Sequence, residues 1–234
     1  MRPIAIFRHT ASEGPGHFTT FLEKHAIPWR VFESYKEERA PDINSLSGLV
    51  FMGGAMSVND PLAWIPRSLQ LIRDAVSADV PVMGHCLGGQ LLAKALGGVV
   101  TKNAVKEIGW GEVRTTHSLA KDWLGELPST FEVFHWHGET FTLPTGATRI
   151  LASKYCENQA FVIGKHLGMQ CHVEMTVDMI RAWTGEGAQE LLDNPVASVQ
   201  SASHILKDVE EKVKDLNRIA ESIYGRWLQG VSRG

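Results

Sequence analysis

The first hundred residues alternate short apolar runs with stretches of helical period. Ile4-Ala5-Ile6-Phe7 predicts a strand over residues 4–7, and the spacing that follows predicts a helix over 18–25. Further strands are predicted over 29–32, 48–52 and 80–83, with helices over 68–76 and 91–96. Strand, helix and strand in this rhythm imply parallel pairing with helices on both faces. The expected fold class is therefore α/β, a doubly wound, mainly parallel sheet with flanking helices. In such sheets the reactive groups gather beyond the carboxyl ends of the strands.

From residue 99 to about 170 the texture becomes β-rich. Candidate strands cover 111–115, 131–137, 149–152, 161–163 and 168–171, mostly separated by turn residues. From Met175 onward the pattern is helical. Ile205, Val209, Val213, Leu216, Ile219, Ile223 and Trp227 recur at intervals of three and four, which predicts one long helix over 199–227 with a single apolar stripe. The stripe is expected to pack on the chain's own core, with a homodimer interface as the alternative. Without a repeat, a low-complexity segment or a linker, residues 1–234 read as one domain. Its core spans about 4–183, and a C-terminal helical extension covers about 186–230.

Composition narrows the function classes. Hydrophobic residues make up 44% and charged residues 21%, ordinary for a soluble globular chain. A formal charge of −3 with no basic block argues against a nucleic-acid partner. No apolar stretch approaches the ~18 residues of a membrane span. Met1-Arg2-Pro3 runs straight into the first strand, too short a stretch for a signal peptide. Three sparse cysteines, Cys86, Cys156 and Cys171, suit a reducing cytoplasm better than a disulfide framework.

The chemistry concentrates at Gly84-His85-Cys86-Leu87-Gly88-Gly89-Gln90, directly after a predicted strand and before a helix. A nucleophile elbow has this grammar: a sharp turn that only small neighbours tolerate. It would set the Cys86 sulfur at a helix N-terminus, where unpaired N–H groups and the dipole favour a thiolate. Cys86 is thus the cysteine expected to have a depressed pKa. A cysteine nucleophile needs a base and a group that holds the base. His172 and Glu174 follow a predicted strand, and residues two apart in extended backbone point to the same side. Glu174 could then accept from one imidazole nitrogen while the other faces Cys86. His17, His25, His117, His166 and His204 have no suggestive neighbours.

The elbow, the Gly53-Gly54 loop and the late Gln170-Cys171-His172-Val173-Glu174 resemble, in order and spacing, class I glutamine amidotransferase domains. The likeness runs over about 4–183 and is strongest to the glutaminase domain of GMP synthase and its stand-alone relatives. It implies a flavodoxin-like fold, a Cys86–His172–Glu174 triad and an oxyanion hole from the backbone N–H groups of Gly54 and Leu87. It also implies a glutamine pocket that uses Gln90, with Trp136 and His137 beside it. Family members attack the side-chain amide of glutamine, release ammonia and hydrolyse a glutamyl thioester without a cofactor. The ammonia normally passes to a synthetase partner.

Departures from the family pattern bear on the substrate. The family's Gly-Gly-Pro reads Gly53-Gly54-Ala55, and the Pro between its His and Glu is Val173. Its Ser-His-Gly-Asp appears as Trp136-His137-Gly138-Glu139, so a bulky indole stands where a serine is usual. GMP synthase continues into an ATP-using domain and this sequence ends at Gly234, so synthesis of GMP by this chain alone is not expected. γ-Glutamyl peptide or amine hydrolysis by the same triad is the alternative. A catalytically silent binding module on the same fold is the reading from another class. His135-Trp136-His137 presents two imidazoles to one side of a strand, but a third metal ligand would have to come from elsewhere, and no metal is expected. Glu107-Ile108-Gly109-Trp110, typical of the stand-alone branch, suggests nothing beyond lining the site or packing.

Overall fold

The structure, a computed structural model, describes residues 2–36 and 41–231. Its strands are β1 (Ile4–Arg8), β2 (Trp29–Glu33), β3 (Gly48–Phe51), β4 (Val82–His85), β5 (Val100–Thr115), β6 (Thr130–Phe141), β7 (Thr148–Ser153), β8 (Ala160–Ile163) and β9 (His166–Met169). Among the described residues they form one sheet in the order β2-β1-β3-β4-β9-β8-β7-β5-β6. The first five in that order pair in parallel, and the rest join antiparallel from β9 outward. The parallel half is the α/β unit expected from the strand–helix rhythm, and the antiparallel half is the β-rich stretch after residue 99.

Helices α1 (His17–Lys24), α2 (Trp64–Ser77), α3 (Leu87–Ala95), α4 (Ala120–Leu124), α5 (Val177–Glu186), α6 (Ala188–Asp193), α7 (Ala202–Leu206) and α8 (Val209–Gln229) complete the chain. The parallel strands show why their apolar runs are continuous. Ile4 and Ile6 of β1 and Val50 of β3 share a core with Phe18 and Leu22 of α1 and Tyr224 and Trp227 of α8. The intervening Ala5, Phe7, Leu49 and Phe51 pack against Ile72 of α2 and Leu91 of α3 on the opposite face. Period-two alternation thus serves two cores at once.

Several elements differ from the sequence reading, and three of the differences bear on the core or the site. The predicted helix over 199–227 is broken at Asp208, whose φ of 54° is left-handed, so α7 and α8 are separate. The stripe survives the break: Ile205, Val209, Val213, Leu216, Ile219, Ile223 and Trp227 are all buried in the chain's own core, which leaves that face no area for a homodimer. Strand β5 begins at Val100, well before 111, and its register against β6 shifts between Lys102 and Glu107. That arm is largely exposed or half-buried and carries no alternation to read. Helix α3 starts at Leu87 instead of 91, taking Gly88 and Gly89 into its first turn. The three cysteines are free, and no helix among the described residues is long and apolar enough to cross a membrane.

Glycines fix how closely α3 approaches the sheet. A Cβ on Gly88 would stand 2.0 Å from the Phe51 carbonyl oxygen, and one on Gly89 2.2 Å from that of Met169. Both obstacles are backbone and cannot swing away. Gly89→Ala is therefore expected to lower stability by about 1–3 kcal/mol or more. Gly225, in the interior of α8 with open space around it, is the opposite case. Gly225→Ala should raise stability by about 0.5–1 kcal/mol. Urea unfolding of the two variants beside the wild type reads both signs.

Candidate active site

The site lies beyond the carboxyl ends of β3, β4 and β9, where the doubly wound half of the sheet places its reactive groups. Cys86 follows β4 at φ 49°, ψ −107°, a conformation that costs about 1–3 kcal/mol for a residue with a Cβ. Backbone bonds hold it there: Cys86 N–H donates to the Met169 carbonyl at 2.8 Å and Gly88 N–H to that of Met52 at 3.1 Å. Leu87 opens α3, so its N–H has no carbonyl one turn back in the helix. Gly54, in the loop after β3, makes no backbone hydrogen bond through its N–H. A Cβ on Gly54 would come within 2.5 Å of Leu87 Cδ2, so the two N–H-bearing residues are immediate neighbours.

His172 and Glu174 follow β9. The His172 backbone is pinned to Phe134 of β6 by bonds in both directions, and the Glu174 carbonyl accepts from His17 N–H at 2.8 Å. Glu174 Oε1 lies 2.6 Å from His172 Nδ1. The other nitrogen, Nε2, is buried without a hydrogen-bond partner. Burial alone would disfavour the imidazolium, but the Glu174 carboxylate and the Cys86 sulfur outweigh it and hold the His172 pKa well above its ordinary value. Burial likewise pushes Glu174 up, yet His85 and His172 hold it far below the usual carboxylate range. Cys156 and Cys171 are buried, and burial pushes both of their thiols up.

His85 is the residue that sequence reasoning missed. Its Nδ1 lies 3.0 Å from Glu174 Oε2, and it has no solvent exposure. Glu174 is thus held between two imidazoles. The signal was available: a histidine inside a wholly buried strand needs a polar partner. Gln170 was also passed over as a contributor. It donates to the Cys86 sulfur at 3.5 Å and accepts from Gln90 Nε2 at 3.1 Å. Gln90 is buried and still lines the cavity above Cys86.

That cavity holds about 900 Å³, and Gly54, Cys86, Trp136, His137 and His172 all line it. Trp136 is half-buried. Its indole N–H donates to Glu190 of α6 at 2.9 Å, its ring fills the space a Cβ on Gly187 would need, and it meets Trp183 edge-on. Trp183 in turn meets the His172 ring edge-on at 5.1 Å. His137 faces away from Cys86 chemistry: Nε2 is 3.1 Å from Glu107 Oε2 and Nδ1 3.0 Å from the Glu139 carbonyl. Glu107, a residue without an assigned role in the sequence, is the third member that the two histidines lacked. Its oxygens and nitrogens of His135 and His137 all fall within 4.8 Å of one another. Ser153, Gln159 and His137 already surround the Glu107 carboxylate, whereas neither ring nitrogen of His135 has a hydrogen-bond partner among the described residues. His135 is pushed down to about 4 by burial and stays neutral there.

The comparisons follow this geometry. The family model described as glutamine amidotransferase class-I matches residues 22–180. The glutamine amidotransferase-like protein YfeJ of Salmonella typhimurium is 32% identical over 195 residues, covering 79% of this chain and 81% of that protein. A glutamine-hydrolysing GMP synthase of Vibrio vulnificus is 29% identical over 196 residues, 80% of this chain but 34% of the synthase. The chain thus spans about a third of that relative's length. Among solved structures, a glutamine amidotransferase from Methylobacillus flagellatus superposes with a TM-score of 0.96 at 46% identity, covering 100% of this chain and 97% of that one. One from Thermotoga maritima gives 0.88 at 28% identity, covering 97% and 98%. With its elbow, its paired strand ends and its sheet order, this chain belongs to the class I glutamine amidotransferase family.

Proposed function

We propose that the protein hydrolyses a γ-glutamyl amide through a thioester on Cys86. The observation that carries this reading is His172. Its Nδ1 is fixed by Glu174 at 2.6 Å, while its Nε2 is buried, unpartnered and beside the nucleophile. The Cys86 thiolate attacks the amide carbon, and the N–H groups of Gly54 and Leu87 receive the oxyanion. The His172 imidazolium gives its proton to the leaving nitrogen as the C–N bond breaks, which releases ammonia or an amine. Neutral His172 then takes a proton from water, hydroxide attacks the thioester, and the C–S bond breaks to free glutamate. Glu174 keeps Nδ1 protonated and stabilises the imidazolium. Gln90, Trp136 and His137 border the glutamyl head.

With glutamine as substrate, the ammonia would pass to a synthetase partner, as the likeness to GMP synthase implies. A second reading keeps the triad and enlarges the leaving group. It is favoured by the 900 Å³ cavity, far more space than glutamine alone fills. The purified protein would be offered glutamine and a panel of γ-glutamyl peptides and amines, with glutamate and the freed amine quantified. Turnover of none of them would leave only a silent binding module on this fold.

Iodoacetamide labelling at pH 6 is expected to modify Cys86 before Cys156 or Cys171, whose thiols burial has pushed up. His172→Ala should lower turnover ~10²-fold or more, and Glu174→Gln should lower it less, because the imidazole moves the proton and the carboxylate only orients it. A His172→Ala variant with near-native rates would assign the base elsewhere.

Trp136→Ser restores the family's side chain without touching the triad. The indole is both a cavity wall and the brace of α6. Its removal is expected to change the relative kcat/KM between glutamine and γ-glutamyl peptides at least about tenfold, ~1.4 kcal/mol of differential transition-state binding. Equal losses on every substrate would reduce Trp136 to a structural brace.

A further inference from the structure

The two ends of the cavity differ in charge. At one end Lys102 of β5 stands in register opposite Glu139 of β6, and the Glu139 carboxylate also accepts from Ser57 at 3.0 Å. A positive and a negative group together suit the zwitterionic head of a glutamyl unit. Lys106 is paired with Glu190, which also accepts from Trp136. The other end holds two further carboxylates, Glu13 and Glu186. Glu13, in the loop between β1 and α1, reaches over Gly53. A Cβ on Gly53 would stand 2.6 Å from Glu13 Oε2 and 3.2 Å from His172 Cε1, so the carboxylate and the catalytic imidazole share one small space. Glu186, at the end of α5, lines the same cavity beside Trp183. Among the described residues neither carboxylate has a lysine or arginine partner or a side-chain hydrogen bond, and the positive group that Glu13 meets is the His172 imidazole.

Two further observations mark this end as a place for a ligand. His172 Nε2 is fully buried, lacks a partner and belongs to a residue that lines the cavity, so it faces the departing nitrogen in the proposed reaction. Trp183, half-buried between Trp136 and His172, adds an aromatic wall. Carboxylates around an indole are the chemistry that recognises an alkylammonium group. We propose that Glu13, Glu186 and Trp183 form a subsite for the leaving group, and that the substrate is a γ-glutamyl amide whose amine carries a second, positively charged nitrogen. The inference rests on the amide-hydrolase reading and narrows its substrate class. Burial raises Glu13 to about 7, with His172 opposing the rise and Glu174 and Glu186 adding to it. Ammonia from glutamine carries no second charged nitrogen to offer these carboxylates; an amine of a few carbons ending in an ammonium does.

A matched series tests the assignment: γ-glutamyl-n-butylamide, γ-glutamyl-1,4-diaminobutane and γ-glutamyl-4-aminobutanoate, with glutamine as reference. These leaving groups are similar in length and differ in terminal charge. In the wild type, kcat/KM for the diaminobutane conjugate should exceed that for the butylamide at least about tenfold, and the aminobutanoate should be poorest. The preference of cation over neutral should fall at least fivefold in Glu13→Gln and also in Glu186→Gln, a change at an exposed helix end that spares the core. The ratio is read within each variant, so a general loss of activity does not imitate the effect. Cleavage of the whole series without a charge preference, or a preference that both variants keep, would overturn the subsite and leave the hydrolase reading intact. Cleavage of no compound, glutamine included, would overturn the hydrolase reading itself.

Discussion

The contact on which the rest depends is between backbones. The first turn of α3 lies against the ends of β3 and β9 so closely that Gly88 and Gly89 have no room for a methyl group, and Gly84 would strike the Gly88 carbonyl. This approach forces the chain to leave β4 and enter the helix within one residue, and Cys86 takes the strain at φ 49°. The same approach sets the Leu87 N–H beside Gly54 and ties Cys86 N–H to Met169, three residues before His172. Cys86, the Gly54 and Leu87 N–H groups and His172 are therefore positioned by main-chain packing. Side-chain flexibility has little part in it, and a site built this way loses none of its precision to rotamer freedom.

Electrostatics adds a second constraint. Glu174 is fully buried, and an unpaired carboxylate there would cost several kcal/mol. Two imidazoles answer that cost, His172 on one oxygen and His85 on the other. Because the ionised carboxylate is favoured, His172 is drawn toward its protonated form and keeps Nδ1 as the donor, which leaves Nε2 free of Glu174. His85 never approaches the substrate cavity, but it shares the carboxylate that orients the base. The pair is almost fully buried: the His172 backbone bridges Phe134 of β6, and its ring meets Trp183 edge-on.

Legibility followed physical type. Local patterns were readable: apolar runs that fill two cores, the Gly-rich turn around Cys86, and His172 with Glu174 two apart in extended chain. The long C-terminal stripe was readable as a buried face but not as two helices, because one left-handed residue at Asp208 leaves the apolar interval unchanged. The arm at the start of β5 was invisible because its exposure removes the alternation on which strand reading depends. Glu13, Glu107 and His85 escaped for a different reason. Glu107 and His85 acquire their partners, and Glu13 its place beside Gly53 and His172, only when distant segments meet, and no spacing in the sequence encodes that meeting.

The cavity walls and the chemistry come from different parts of the chain. Strand ends supply Cys86, His172 and Glu174, whereas Trp183, Glu186 and Glu190 belong to α5 and α6, beyond the last strand. Trp136 joins the two regions, since its ring needs the bare Cα of Gly187 and its N–H needs Glu190. A serine at that position could reach neither, and the α5–α6 turn would lose its hold on the sheet. The indole that departs from the family pattern is then better understood together with Gly187 and Glu190 than as a lone substitution. The three residues set where the helical wall stands, and the wall sets how much room is left in the cavity above Cys86.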